Sequence, residues 1–212
     1  DTDLLFRKGI LLDKMQRKEE AIDVMRQVLE LEPQNANALN YIGYTYAEMG
    51  IHLSEAKRLI KAALELAPDD GYIMDSLAWV YYRQGHYRKA LEVIQDAIRL
   101  VPNDPVIHEH LGDIYMSLGK KNKAAEAYEK ALEYFYKNIE WAHSQNIKGE
   151  YIEKSIDRYT EMLFRRGHIM EQVGVEYASA PTPKGLPQDE ADAYRSLLEE
   201  KKLEAMDAAL PK

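Results

Sequence analysis

The sequence predicts an all-α fold, a solenoid of stacked helix pairs followed by a C-terminal helical extension. Similar stretches of about 34 residues recur along the chain, which is the signature of a solenoid. Glycines at expected turns recur in register at Gly50, Gly85 and Gly119, and Pro68 and Pro102 close two of the stretches. Small residues and tyrosines recur with them, at Gly43, Ala78 and Gly112 and at Tyr46, Tyr81 and Tyr115.

Each stretch is a pair of amphipathic helices joined at its glycine, which can adopt the positive φ needed at a helix C-terminus. Alanines let the second helix of each pair pack closely, at Ala56, Ala90, Ala124, Ala63, Ala97 and Ala131. The first stretch lacks the glycine in its turn, Met15-Gln16-Arg17, and the second has one extra turn residue near His52. One helix pair cannot bury its apolar face, so stacking is obligatory. The predicted array covers residues 1–137, in units 3–34, 36–70, 71–104 and 105–137.

This combination of small, large, tyrosine, glycine, alanine and proline positions resembles the tetratricopeptide repeat (TPR) family over residues 3–136. The resemblance implies a right-handed superhelix whose concave groove is lined by the first helix of each unit. It also implies binding of other proteins, as peptide segments or helices, in that groove.

The family's groove positions fall here on ten residues: Asn40, Tyr44, Tyr72, Asp75, Trp79, Tyr82, Arg83, Glu109, Asp113 and Met116. The large aromatic side chains among them are the expected anchors, and Asn40 is expected to bond a partner backbone. Some family members hold a C-terminal carboxylate with Lys and Asn at the fifth and ninth positions of their units. That carboxylate clamp is absent here, because these positions carry Asn40, Asp75 and Glu109 and then Tyr44, Trp79 and Asp113. Glu109 and Asp113 favour a partner with basic character. In the alternative reading, Trp79 and Tyr82 pack against the next unit or the tail.

Residues 138–212 are predicted to form a helical extension, with a long helix over 151–177, a Pro-rich turn at 180–187 and an acidic helix from about 188. Pro181, Pro183 and Gly185, followed by the acidic helix, resemble the tail of some helical-repeat proteins of the bacterial cell envelope. The extension is expected to cap the last repeat. Self-association through the final helix stays open.

Composition and motifs indicate binding rather than catalysis. The net charge of −8 and the interleaved charges disfavour nucleic acid. The absence of cysteine excludes disulfides and thiolate catalysis. No metal site is expected from the six scattered histidines, and nucleophile elbows, P-loops and dinucleotide-binding turns are absent, so we expect no cofactor and no enzyme activity. No apolar run is long enough for a membrane span. The start at Asp1 indicates a mature or trimmed fragment.

Two segments, Asn40 to Thr45 (NYIGYT) and Asp75 to Tyr82 (DSLAWVYY), resemble repeats of bacterial outer-membrane-associated lipoproteins. The predicted function is therefore a non-catalytic scaffold or adaptor in a cell-envelope complex. The alternative is an accessory subunit that delivers substrates to a periplasmic protease or a cell-wall hydrolase. A periplasmic or outer-membrane-associated location is favoured by this resemblance, and a cytoplasmic one stays open.

Overall fold

The computed structural model describes residues 1–145 and residue 158. This part of the chain folds into helices and contains no strand, which confirms the predicted all-α class. The helices are α1 (Thr2–Lys14), α2 (Lys18–Leu31), α3 (Ala36–Met49), α4 (Leu53–Leu66), α5 (Gly71–Arg83), α6 (Tyr87–Leu100), α7 (Pro105–Ser117) and α8 (Lys121–Ser144). The predicted extension helices, the Pro-rich turn at 180–187 and the self-association helix lie outside the described residues.

The first helix of every pair starts at a side-chain cap in the same repeat position. These caps are Asp1, Asn35, Asp70 and Asp104. The Asp70 carboxylate accepts hydrogen bonds from the backbone N–H groups two and three residues ahead, at 2.9 and 3.1 Å. Such a cap stabilises a helix by about 1 kcal/mol, because it satisfies amides that have no partner within the helix.

The turns within the pairs use the left-handed backbone conformation. Gly50, Gly85 and Gly119 have φ values of 72°, 77° and 70°, as the sequence predicts. In the first pair, Gln16 takes this conformation with φ 60°, and the extra turn residue of the second pair places His52 at φ 48°. The turn geometry is therefore retained where the glycine is missing, at the cost of a strained non-glycine residue.

The chain divides into two compact units, and the first, Asp1–Asn103, contains α1 to α6. Each helix pair packs internally, and α2 packs on α3 and α4 on α5. The core includes fully buried Met25, Ile42 and Ile60. A Cβ added to Gly43 would lie 2.6 Å from the Cγ1 atom of Ile60, so the small residue at this position is what allows α3 and α4 to approach each other.

The second unit begins at Asp104, and its described helices are α7 and α8. A Cβ on Gly112 would lie 2.2 Å from the ring of Tyr128, which repeats the close helix contact seen at Gly43. The inner face of α8 is buried through Phe135, Ile139 and Ala142. The helix thus continues to bury apolar side chains past residue 137, while the division of the chain at that residue stays a prediction.

Candidate functional site

Seven of the ten predicted groove residues belong to the first unit, where they lie on α3 and α5. These two helices are neighbours, although each belongs to a different pair. Their predicted residues range from exposed to buried: Tyr72 is 57% exposed, whereas Asp75 is 7% exposed. Asn40, Tyr44, Trp79, Tyr82 and Arg83 are half-buried. We call these seven residues the α3/α5 surface.

Aromatic rings contact one another on this surface. Trp79 stacks on Tyr82, with ring centroids 4.7 Å apart and an interplanar angle of 14°. Tyr82 also meets Tyr87, the first residue of α6, at 5.6 Å and 53°. Trp79 packs partly against the apolar core beneath it. We call Trp79, Tyr82 and Tyr87 the aromatic cluster. Because the three rings pack on one another and are only half-buried, they offer a platform with little conformational entropy left to lose on binding.

Tyr87 is not among the predicted residues, because the family's groove positions lie on the first helix of each pair. The sequence does offer one signal for Tyr87, which directly follows His86 at the end of the turn between α5 and α6. After such a turn the chain runs back along α5, so the first residue of α6 lies near the end of α5. The cluster is therefore shared by both helices of one pair.

Asn40 has a more constrained position than the sequence suggests. Its side-chain oxygen, Oδ1, is shielded from solvent and has no hydrogen-bond partner in the described part of the chain. A buried acceptor left without a donor costs about 1–3 kcal/mol. The bond from Asn40 to a partner backbone stays a prediction, and Oδ1 can take part in it only if the side chain turns outward.

Arg83 has an internal role that the sequence does not reveal. Its Nη1 atom donates to the backbone carbonyl of Glu48 at 2.9 Å, close to the C-terminus of α3. The next residue, Gln84, donates from Nε2 to the carbonyl of Leu53 at 3.2 Å. The two residues at the end of α5 thus donate hydrogen bonds to both flanks of the turn between α3 and α4, which carries the extra residue. A cation at a helix C-terminus is also favoured by the helix dipole.

In the second unit, the three predicted residues all make contacts within the chain. Arg158 donates from Nη1 to Oε2 of Glu109 at 3.0 Å, and the Glu109 side chain is 8% exposed. Asp113 accepts from the Tyr128 hydroxyl at 2.6 Å. Met116 packs against the buried face of α8. The acidic end of the predicted groove is therefore able to accommodate a guanidinium group at Glu109.

Ionisable groups show one strong shift near this surface. Burial raises the pKa of Tyr41 on α3, and the carboxylate of Asp13 adds to the effect. Across residues 1–145 and 158, no cluster of three or more His, Asp or Glu side chains is placed to hold a metal ion. No helix in the same residues has the length and apolar character required to cross a membrane.

Paired helices with recurring caps, left-handed turns and small interface residues define a helical-repeat protein. Two models described as tetratricopeptide repeat match residues 2–35 and 76–137. The chain belongs to the tetratricopeptide repeat family. Proteins with these repeats bind other proteins and are generally non-catalytic scaffolds.

Known proteins with similar sequences or folds support this assignment. A TPR repeat-containing protein of Pseudomonas aeruginosa is 41% identical over 85 residues, which cover 40% of this chain and 14% of that protein. The mouse interferon-induced protein with tetratricopeptide repeats 3 is 31% identical over 81 residues, or 38% of this chain and 20% of that protein. The chain thus matches a small part of each of these longer relatives. A thermophilic TPR protein of Thermus thermophilus shares the fold, with a TM-score of 0.60 and 21% identity over 93% of this chain and 99% of that one.

Proposed function

We propose that this chain is a non-catalytic scaffold or adaptor that binds segments of partner proteins on the α3/α5 surface. The observation that carries the proposal is the aromatic cluster, in which Trp79 stacks on Tyr82 and both residues are only half-buried. Trp and Tyr are the residues most enriched at the energetic centres of protein interfaces. The exposed ring of Tyr72, on the same helix, extends the apolar area available to a partner.

The chemistry of the partner is proposed from the side chains of each unit by itself. A peptide or an amphipathic helix offers apolar side chains to place against the rings, and its polar backbone or flanks can meet the tyrosine hydroxyls. In the second unit, Glu109 already accepts a hydrogen bond from an arginine, Arg158. This contact supports a partner with basic residues near Glu109 and Asp113, one of which would replace Arg158 at Glu109.

The cellular setting is proposed from the sequence resemblance. The segments that begin at Asn40 and Asp75 resemble repeats of bacterial outer-membrane-associated lipoproteins, and we place the scaffold in a multiprotein complex of the bacterial cell envelope on that ground. An accessory subunit for a periplasmic protease or cell-wall hydrolase is one form of such a scaffold. It predicts a chain that is inert alone and raises the turnover of the captured enzyme when the two are mixed.

The direct test is affinity capture from membrane and soluble extracts with three proteins: the wild type, Trp79→Ala/Tyr82→Ala, and Trp141→Ala. Trp141 is the matched control because it is an exposed tryptophan, 56% accessible, on α8. A partner identified by mass spectrometry is then titrated, as a pure protein, against each variant. We expect the double variant to bind at least about 30-fold more weakly, because one strong aromatic anchor contributes about 2 kcal/mol.

Equal affinity of the wild type and the double variant for every captured partner, with both proteins folded by circular dichroism, would remove the α3/α5 surface as the binding site. Loss of binding in Trp141→Ala alone would assign the interaction to α8 instead.

A further inference from the structure

Glu109 on α7 is bound by an arginine from a distant part of the same chain. Nη1 of Arg158 donates to Oε2 of Glu109 at 3.0 Å, across 49 positions of sequence. The Glu109 side chain is 8% exposed, whereas that of Arg158 is 44% exposed. A carboxylate shielded to this degree needs a cation or hydrogen-bond donors beside it. An arginine that is nearly half exposed is already well hydrated, so it leaves its position at a smaller cost than a buried one.

The contact lies at a position where the family resemblance places partner binding. Glu109 is the fifth residue after the aspartate that caps its helix, and the predicted groove residue Asp75 is the fifth after its own cap. Asp113 lies one turn further along α7, on the same side of the helix as Glu109. We call Glu109 and Asp113 the acidic pair. Arg158 therefore binds a side chain that is expected to receive a partner.

The lysines described in this unit have different surroundings. Lys137 is paired with Glu133 at 2.6 Å, and Nζ of Lys123 lies 5.8 Å from the centroid of the Tyr115 ring. The remaining described lysines are exposed, and they are Lys120, Lys121 and Lys130. A planar guanidinium also matches a carboxylate better than an ammonium group does. The ligand that fits Glu109 is therefore an arginine side chain.

We propose that Arg158 is an internal ligand of the acidic pair and that it competes there with an arginine of a partner protein. This inference rests on the proposed function, because it concerns a basic partner at the same two residues, and it adds that the chain inhibits its own binding. The apparent affinity for a ligand falls in proportion to the fraction of molecules in which the site is open. With Arg158 in place in about nine molecules of ten, an external arginine binds about tenfold more weakly than it would to an open site.

The probe is a fluorescent peptide of residues 151–165, YIEKSIDRYTEMLFR, which supplies this arginine from outside. Its binding is measured by anisotropy against the full wild-type chain and the full Arg158→Gln chain. Glu109→Gln and Glu126→Gln are each added to the Arg158→Gln chain. Glu126 is the matched control because it is an exposed glutamate on α8.

Two further sets of variants keep the result interpretable. In the peptide, Arg158→Gln removes the arginine in question, and Arg165→Gln removes an equal charge seven residues later. In the chain, Arg158→Lys retains the positive charge and replaces Arg158→Gln as the test variant if the latter does not fold. Urea unfolding followed by circular dichroism establishes which chains are folded.

We expect the Arg158→Gln chain to bind the peptide about tenfold more tightly than the wild type does, because its own arginine no longer competes. Arg158→Lys should give a smaller gain in the same direction. Glu109→Gln should remove the gain, and Glu126→Gln should leave it unchanged. In the peptide, Arg158→Gln should weaken binding at least about tenfold, and Arg165→Gln less than about twofold.

Equal binding of the peptide to the wild-type and Arg158→Gln chains, or no binding to either, would overturn the proposal and leave Arg158 as a stabilising contact within its unit. Equal effects of the two peptide substitutions would overturn it as well, because binding would then reflect overall charge. The assay involves neither Trp79 nor Tyr82. A failure here therefore leaves the α3/α5 surface untouched, and a failure of that surface in affinity capture leaves this result standing.

Discussion

Replacing Arg83 by methionine tests whether this residue stabilises the junction between two pairs. The substitution keeps an unbranched apolar side chain and removes the guanidinium that donates to the Glu48 carbonyl at 2.9 Å. A hydrogen bond from a charged group contributes about 1.5–3 kcal/mol, and partial exposure of Arg83 places the expected loss at about 1–2 kcal/mol. With an m-value of about 2 kcal/mol/M, the urea midpoint should fall by about 0.5–1 M.

The assay is urea unfolding followed by circular dichroism, with Arg88→Met as the control because Arg88 is an exposed arginine on α6. Hydrogen exchange adds a local readout: the amides at the end of α3, Met49 to Ile51, should lose protection in Arg83→Met only. An unchanged midpoint, or an equal fall in Arg88→Met, would refute a capping role for Arg83. A loss of partner binding without a loss of stability would instead return Arg83 to the role expected from the sequence.

Three further predictions concern turns, packing and ionisation. Gly85→Ala should destabilise the protein by about 1 kcal/mol through backbone strain alone, because an added Cβ would meet nothing within 4 Å, and Gln16→Gly should stabilise it slightly; urea unfolding checks both. Gly112→Ala should cost about 1–3 kcal/mol, since its Cβ would overlap the ring of Tyr128, and a thermal melt measures the loss. Burial holds the pKa of Tyr41 above its ordinary value of 10.0, so the folded state favours the neutral phenol. The corresponding stability is present below pH 10 and is lost as the pH rises above it, so Tyr41→Phe should resist alkaline unfolding better than the wild type.

The fold could be predicted because its turns and interfaces have distinct residue types. A positive φ selects glycine, and Gly50, Gly85 and Gly119 mark three turns directly. The same conformation at Gln16 and His52 has no such marker. At those two positions the packing of the flanking helices determines the backbone conformation, which the residue type does not predict.

The candidate site could be predicted only in part. Helical spacing places Tyr72 and Trp79 on one helix, but it does not predict that Asp75 between them is buried. The bond from Arg83 depends on where the end of α3, in another pair, places the Glu48 carbonyl. Contacts between residues of different pairs depend on how the pairs stack in three dimensions. The hydrophobic pattern of each single helix does not predict them.

Binding of partner proteins on the α3/α5 surface can be tested by crosslinking. The most direct measurement introduces a photo-crosslinking amino acid in place of Tyr72, which is 57% exposed, and, as a control, in place of Arg88 on α6. We expect crosslinks to a partner from position 72 that disappear in the Trp79→Ala/Tyr82→Ala background, and none from position 88. Equal crosslinking from both positions, or crosslinking from position 72 that persists in the double variant, would contradict it.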